Sequence, residues 1–363
     1  MNLSIIIPAY NVERYIGSTL GSLRRQSAQD FEVVVVDDGS TDGTAEAAER
    51  HFDGLPEVRL IRTANGGVSQ ARNVGLAAAK GDYVLFLDGD DYVGETLVAR
   101  VAEATATNAM SPEQTAPDAV VWRFVEVDEA GKVLSDFFQG KPALPKRLEG
   151  AEVLNRIFFD RNLRVHTAGI AYRRERLLEA NLSYTPGCVN GEDQEFIYKA
   201  LCRAREVRFI DESLLFYVQR GSSVTYTYNV RKFDFVGAFE RTARDLREQG
   251  GSELHRIADR LDGPYLLEDY LYTIRTCLSG GGVPMYRLLA DVERQYPGLN
   301  VRIRERIRGL QVEGGTLPRA LRLFAASPSA YGLLLQAKRS ARKIRGGRST
   351  GSAAAAVGEN ERT

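Results

Sequence analysis

The sequence predicts an α/β fold: a mixed, mostly parallel sheet with helices on both faces, followed by a C-terminal helical subdomain. Three observations carry that prediction. Short, nearly continuous apolar runs alternate with helix-like stretches between Leu3 and Leu87, as expected of parallel strands buried on both faces. Polar or turn-forming residues follow each of those runs. Beyond about Tyr228 the apolar spacing becomes heptad-like.

Leu3–Ile7, Phe31–Val36, Val58–Ile61 and Tyr83–Leu87 read as strands, separated by helices over Arg14–Arg25, Thr44–Phe52 and Ser69–Lys80. Strand–helix–strand alternation at this spacing implies right-handed crossovers. Asp42 or Thr41 is placed to cap the second helix and Ser69 the third, and Gly81-Asp82 turns the chain into the fourth strand. Asn108–Pro117, polar and with two prolines, reads as a connection. Strands over Ala119–Val125 and Lys132–Phe138 follow, then helices near Glu149–Phe159 and Asp193–Arg203, then strands Val207–Ile210 and Leu214–Tyr217. Helical patterns cover Phe233–Leu246, Leu254–Leu278 and Tyr286–Tyr296. The division expected is residues 1–225 as a catalytic domain, 226–345 as a helical subdomain, and 346–363, rich in Gly, Ser, Ala and charge, as a disordered tail. No internal repeat is visible.

The 363 residues include 48 Lys+Arg and 48 Asp+Glu, so the formal net charge is zero, which argues against a generic nucleic-acid binder. Three cysteines, Cys188, Cys202 and Cys277, are too few and too widely spaced for a disulfide framework, and three histidines show no zinc pattern. The N-terminus lacks the features of a signal peptide and no apolar run reaches 18 residues, so a cytoplasmic protein is expected.

In open parallel sheets, ligands bind beyond the carboxyl ends of the strands. Here those ends carry Pro8-Ala9-Tyr10-Asn11, Asp37–Asp42, Thr63–Gly67 and Asp88-Gly89-Asp90-Asp91. Any one of these loops could be an ordinary turn. Four in succession, two with doubled carboxylates, point to one polar crevice. Neither Gly-x-Gly-x-x-Gly after the first strand nor Gly-x-x-x-x-Gly-Lys-Ser/Thr occurs, which excludes dinucleotide and P-loop sites. Phosphates would then be neutralised differently. Asp88, Asp90 and Asp91 offer the hard oxygens that Mg²⁺ or Mn²⁺ takes together with substrate phosphates.

The runs Ser4–Asn11, Val33–Asp42, Gly66–Asn73 and Phe86–Tyr92, in this order and spacing, strongly resemble family 2 glycosyltransferases of the GT-A fold, over roughly residues 3–220. The resemblance implies a nucleotide-diphosphate sugar donor, UDP-linked by best fit with GDP and dTDP donors left open, and inversion at the anomeric carbon. It implies that Pro8, Ala9 and Tyr10 line the nucleoside pocket beside Asn11, and that Asp38 accepts a hydrogen bond from a uracil-like N–H. Gly67 and Arg72 would contact the donor, and Asp88 and Asp90 form the Asp-x-Asp element, with Asp90 the direct metal ligand and Asp91 adjacent.

Transfer also needs a group that takes the acceptor's hydroxyl proton. The family's Glu-Asp pair falls on Glu192-Asp193, which implies Asp193 as the general base and Glu192 as its acceptor-binding or orienting neighbour. Tyr217–Thr225 resembles a closing Tyr-x-x-Arg…Ser-x-Thr segment, whose Arg220 would clamp the diphosphate bidentately. His166 and Trp122 fall where such enzymes shape the acceptor and sugar pockets. The expected acceptor is a glycan or lipid-linked molecule. The apolar and basic run Leu333–Arg348 suggests peripheral contact with the inner face of a membrane. Two other readings compete, a non-catalytic nucleotide-sugar-binding subunit and a sugar-phosphate nucleotidyltransferase. The first would be favoured by loss of Asp88, Asp90 or Asp193, and all are present; the second expects a glycine-rich basic loop where Pro8–Glu13 stands.

Overall fold

The computed structural model describes residues 2–106, 115–220, 228–280, 282–310 and 318–346. Their chain order is β1 (Leu3–Ala9), α1 (Ile16–Arg24), β2 (Phe31–Asp37), α2 (Thr44–Glu49), β3 (Val58–Arg62), α3 (Val68–Ala78), β4 (Tyr83–Phe86), β5 (Tyr92–Val93) and α4 (Leu97–Thr105). Next come β6 (Ala119–Val127), β7 (Val133–Ser135), β8 (Arg147–Leu148), α5 (Gly150–Asn155), β9 (Ile170–Arg173), α6 (Arg174–Glu179), α7 (Glu192–Leu201) and β10 (Val207–Val218). Helices complete it: α8 (Asp234–Gln249), α9 (Ser252–Arg260), α10 (Leu266–Gly280), α11 (Met285–Gln295), α12 (Leu299–Gly309), α13 (Arg319–Ala326) and α14 (Pro328–Gly346).

The described residues form two compact units. One takes in those of Met1–Arg220 with Asp234–Asp262, the other those of Gly221–Phe233 with Gly263–Thr363. A boundary at residues 225/226 was expected from the sequence. The structure instead returns α8 and α9 to the first unit, where α8 packs along α7 and its Arg241 reaches the buried Glu195 at 2.6 Å.

The first unit is built on a ten-stranded sheet ordered β3-β2-β1-β4-β9-β6-β10-β5, with β7 on β6 and β8 on β10. β3, β2, β1 and β4 run parallel, β9 pairs antiparallel with β4 and β6, and β10 runs parallel to β6. Every residue of β1 and β2 is buried, which explains their largely apolar sequences; the buried Ser4 and Glu32 that interrupt them pair with each other, Ser4 Oγ donating to Glu32 Oε1 at 2.6 Å. The chain leaves β1 for β2 on one side and reaches β4 on the other, so the strand order reverses beside β1. That switch opens a crevice at the carboxyl ends of β1, β2 and β4. Gly75 lets α3 lie directly on β1, since a Cβ there would come 2.2 Å from Ile6 Cγ2.

Several element boundaries differ from expectation for local reasons. Pro8 and Ala9 belong to β1, paired with Val36 and Asp37, although Pro8 has no backbone N–H to donate to the ladder. Gly67, with φ +86°, precedes α3, and Ser69 lies inside the first turn instead of capping it. The expected strands Val207–Ile210 and Leu214–Tyr217 are one strand, β10, whose two register shifts, between Ile210 and Ser213 and between Ser213 and Leu215, absorb Asp211, Glu212 and Leu214. The helix near Glu149–Phe159 widens into a π-turn at Arg156–Asp160. The connection at 107–114, the closing residues Ser223 and Thr225, and the tail 347–363 lie outside the described residues.

In the second unit, Phe233, Tyr270, Phe324 and Tyr331 form a chain of aromatic contacts with ring centroids 5.1–5.9 Å apart. No helix among the described residues is long and apolar enough to cross a membrane.

Candidate active site

Arg72 organises the crevice. It stands on the first turns of α3 and its side chain is 4% exposed. Its Nη2 donates to Asp88 Oδ1 at 2.9 Å, and its Nη1 approaches Glu192 Oε1 at 3.4 Å. The guanidinium lies 5.0 Å from the centroid of the Tyr184 ring, a cation–π arrangement. One buried side chain thus joins the Asp-x-Asp loop after β4 to the Glu-Asp pair at the start of α7, more than a hundred residues apart in sequence. Burial works to lower the Arg72 pKa, yet Asp88 first, then Tyr184, Glu192 and Asp193, carry it above its ordinary value, so the charge is permanent.

α7 is held in place by stacked rings. Tyr184 stacks on Phe196 with centroids 4.2 Å apart, and Phe86, the last residue of β4, meets both edge-on. Asn73 fixes the Tyr184 backbone from both sides, donating to its carbonyl and accepting from its amide at 2.8 Å each. Gly191, at φ +87°, turns the chain into α7; a Cβ there would come 2.8 Å from Phe235 Cα. Glu192 and Asp193 occupy the first turn, where the helix dipole favours carboxylates. Burial, then Asp193, pushes the Glu192 carboxyl up to about 7. Asp193 is the more exposed of the two.

At the β4 end, Arg220 Nη2 contacts Asp90 Oδ2 at 2.8 Å and donates to the Asp90 carbonyl at 2.9 Å, with its guanidinium 3.5 Å from the Tyr15 ring centroid. Burial and the neighbouring Asp88 raise the Asp90 pKa. Asp91 stands apart from the ligand set expected of it. It is 1% exposed, and its Oδ1 accepts from the Val218 amide at 2.9 Å, so it clasps the loop to β10. Among the described residues no group of three His, Cys, Asp or Glu side chains is assembled to hold a metal ion. The donor set that does face solvent is Asp88 and Asp90, both partly exposed and each held by an arginine through one oxygen. Two hard carboxylates with further lone pairs suit Mg²⁺ or Mn²⁺ when phosphate oxygens and water supply the other ligands.

The loops that follow β1, β2 and β3 brace one another. Asp38, 2% exposed, accepts from the Gly66 and Gly67 amides at 2.9 and 2.8 Å, so its carboxylate holds the loop entering α3. Asn11 adopts φ +54°; its side-chain oxygen accepts from the Thr41 amide at 2.9 Å and its own amide donates to Ser40 Oγ. Tyr10 is half exposed beside this brace. Trp122 is fully buried in β6. His166 is wedged between Phe124 and Tyr217, and its Nδ1 accepts from the Ala168 amide at 3.2 Å. Burial lowers its pKa and Asp88 and Asp193 partly restore it, so the imidazole shares the field of the crevice. Tyr184, Tyr15 and Arg241 are the site-supporting residues that sequence reasoning missed. None lies in a recognisable motif, and only the fold brings them beneath Arg72, Arg220 and Glu195.

Residues 4–158 match the Glycosyl transferase family 2 model. The chain contains a family 2 glycosyltransferase domain. It is 34% identical over 234 residues to the uncharacterized glycosyltransferase EpsJ of Bacillus subtilis, covering 61% of this chain and 62% of that relative. It is 28% identical over 261 residues to the poly(ribitol-phosphate) β-N-acetylglucosaminyltransferase TarS of Staphylococcus aureus, covering 70% of this chain and 42% of TarS. Residues 1–349 of S. aureus TarS, solved with UDP and with UDP-GlcNAc, share the fold with a TM-score of 0.62 at 21% identity, covering 94% of this chain and 92% of that one. The GT-A fold expected from the sequence, with its helical C-terminal addition, is therefore the fold observed.

Proposed function

We propose that this protein transfers a sugar from a UDP-sugar, with inversion, to a hydroxyl of a glycan or lipid-linked acceptor in the building of a cell-surface polysaccharide. The observation that carries the reading is the Arg72 bridge, which unites Asp88 with Glu192-Asp193 in one crevice beside the family's nucleoside loops. The UDP and UDP-GlcNAc bound by TarS support a uridine donor here. In the reaction the acceptor oxygen attacks the anomeric carbon, the bond to the diphosphate breaks, and its electron pair leaves on the diphosphate. Asp193 takes the hydroxyl proton as the oxygen loses it. Glu192, balanced near neutrality, orients the acceptor by donating or accepting a hydrogen bond. Pro8, Ala9, Tyr10 and Asn11 form the nucleoside wall, with Asp38 and Gly67 shaping its floor. Arg72 stays with the carboxylates, while Arg220 exchanges Asp90 for the donor diphosphate.

Asp90 and Asp88 would hold Mn²⁺ or Mg²⁺, which when bound neutralises charge on the leaving diphosphate. Asp91 serves the loop and not the ion. The same reading places the protein in the cytoplasm at the inner face of the membrane, where lipid-linked acceptors are presented.

Asp193→Asn tests the base. It should leave the UDP-induced rise in melting temperature intact and cut UDP release from UDP-sugars by about 100-fold or more. Unchanged turnover would sink the assignment. Asp90→Ala addresses the metal: nucleotide binding should lose its dependence on Mn²⁺, and equal UDP affinity of the parent protein in Mn²⁺ and in EDTA would defeat that role.

A further inference from the structure

The second unit concentrates a charge imbalance that the whole chain, with its 48 Lys+Arg and 48 Asp+Glu, does not have. Helix α14 contains Lys338, Arg339, Arg342, Lys343 and Arg345 and no acidic residue. One face of this helix is used internally. Tyr331 is buried against Phe324, and Gly332 lies so close to α11 that a Cβ there would meet Met285 Cβ at 3.0 Å. The next residues of both helices emerge from that seam. Leu333 and Leu334 are 66% and 42% exposed, and Tyr286, directly after Met285, is 74% exposed and followed by an exposed Arg287. Lys338, one turn beyond Leu334, is exposed as well.

A single exposed leucine is ordinary on a protein surface. Two exposed leucines on a cationic, acid-free helix, with an exposed tyrosine one residue past the Met285 that this helix abuts, are the composition of an element that lies in a bilayer interface. Apolar side chains there enter the boundary between headgroups and acyl chains, tyrosine sits at headgroup level, and lysine and arginine meet anionic lipid phosphates. The helix is not one that can cross the bilayer. We infer that the face formed by Tyr286, Leu333, Leu334 and Lys338 docks the protein on an anionic lipid surface. The docking rests on the membrane location in the reading above and supplies its surface, but it needs no donor or acceptor and can be tested apart from the transfer reaction.

The test is co-sedimentation of the full chain with large vesicles of phosphatidylcholine alone or with about 30 mol% phosphatidylglycerol, at low and high NaCl. Binding is expected only to the anionic vesicles, weakening with salt. It should fall about tenfold or more in Tyr286→Asp and in the double variant Leu333→Asp/Leu334→Asp, each checked for an unchanged melting temperature. Lys338→Glu, which reverses one exposed charge and leaves the leucines in place, should also weaken it. Binding to neither vesicle, or equally to both, would overturn the proposal. So would full binding by the double variant, which would assign attachment to charge alone. A dimer seen by sedimentation velocity that Leu333→Asp dissociates, without vesicle binding, would give the face to a second copy of the chain. None of these outcomes alters the UDP responses of Asp193→Asn or Asp90→Ala, so failure of docking and failure of the transferase reading are distinguishable.

Discussion

Glu192 sits between opposing influences: burial and Asp193 favour its neutral form, while Arg72 at 3.4 Å favours the carboxylate. Burial prevails, and the folded value of about 7 lies above the ordinary glutamate value of 4.5. A carboxyl raised by folding binds its proton more tightly in the folded state. Its contribution to stability is therefore complete below about pH 4.5 and is lost as the pH rises through about 7. Glu192→Gln removes that loss. It should raise stability by roughly 1–3 kcal/mol at pH 8.5 and change little at pH 4.5, read from urea midpoints at the two pH values. Arg72→Met should do the reverse at neutral pH, costing roughly 3 kcal/mol because it strands Asp88 and Glu192 beside an apolar group. At this scale the sequence shows which residues belong to the motifs but not how they are paired. Arg72 stands in a legible Gln-Ala-Arg-Asn segment. Its partner Glu192 and its aromatic floor Tyr184 are distant in sequence, and only packing decides that they meet. Asp91 misled for the converse reason: beside Asp90 it reads as a third ligand, and only the register with β10 reveals a buried clasp.

Among elements, α7 matters most because its first turn carries Glu192 and Asp193, and its far end is fixed by α5. Gly150 at the start of α5 abuts that end, and a Cβ there would lie 1.7 Å from the Leu201 carbonyl oxygen. Gly150→Ala must push α5 off α7, at a cost of about 1–3 kcal/mol in thermal or urea unfolding. Gly309→Ala, at the end of α12 with nothing within 4 Å, should be neutral or slightly stabilising. If both variants unfolded alike, the close packing of α5 on α7 would not be what glycine serves at position 150. Legibility here follows burial. β1, β2 and β4 could be read because strands covered on both faces carry nearly continuous apolar runs, whereas β3, half-buried at the sheet edge, keeps only Val58, Leu60 and Ile61 among its arginines. β5 and β9, of two and four residues, are too short to show a period, and β9 (Ile-Ala-Tyr-Arg) reads equally well as the start of α6. Asp211-Glu212-Ser213 reads in the sequence as a polar break, but in the sheet Ser213 pairs with Arg123 and β10 continues across two register shifts.

On the scale of the whole molecule, the sequence shows a change from alternating strands and helices to helices alone but misplaces where the catalytic unit ends. Periodicity marks α8 and α9 as helices and says nothing of which core they serve. Ion pairs assign them. Glu195, with a side chain 3% exposed, lies between Lys199 and Arg241 of α8, and Arg203 at the end of α7 pairs with Asp245. Arg247 in turn holds Asp262 at 3.0 Å, the last residue of the unit. A chain ending at residue 225 would leave Glu195 with half its countercharge and uncover the apolar face of α7 that α8 protects. A chain ending at Asp262 keeps every one of these pairs. The second should unfold in one cooperative transition and rise in melting temperature with UDP, by an amount corresponding to about 2.7 kcal/mol at 100 times the dissociation constant. The first should fail to fold or melt without cooperativity. Equal folding of the two chains would return α8 and α9 to the helical subdomain. A cooperative fold of the 262-residue chain without a UDP response would instead mean that the donor site needs residues beyond Asp262.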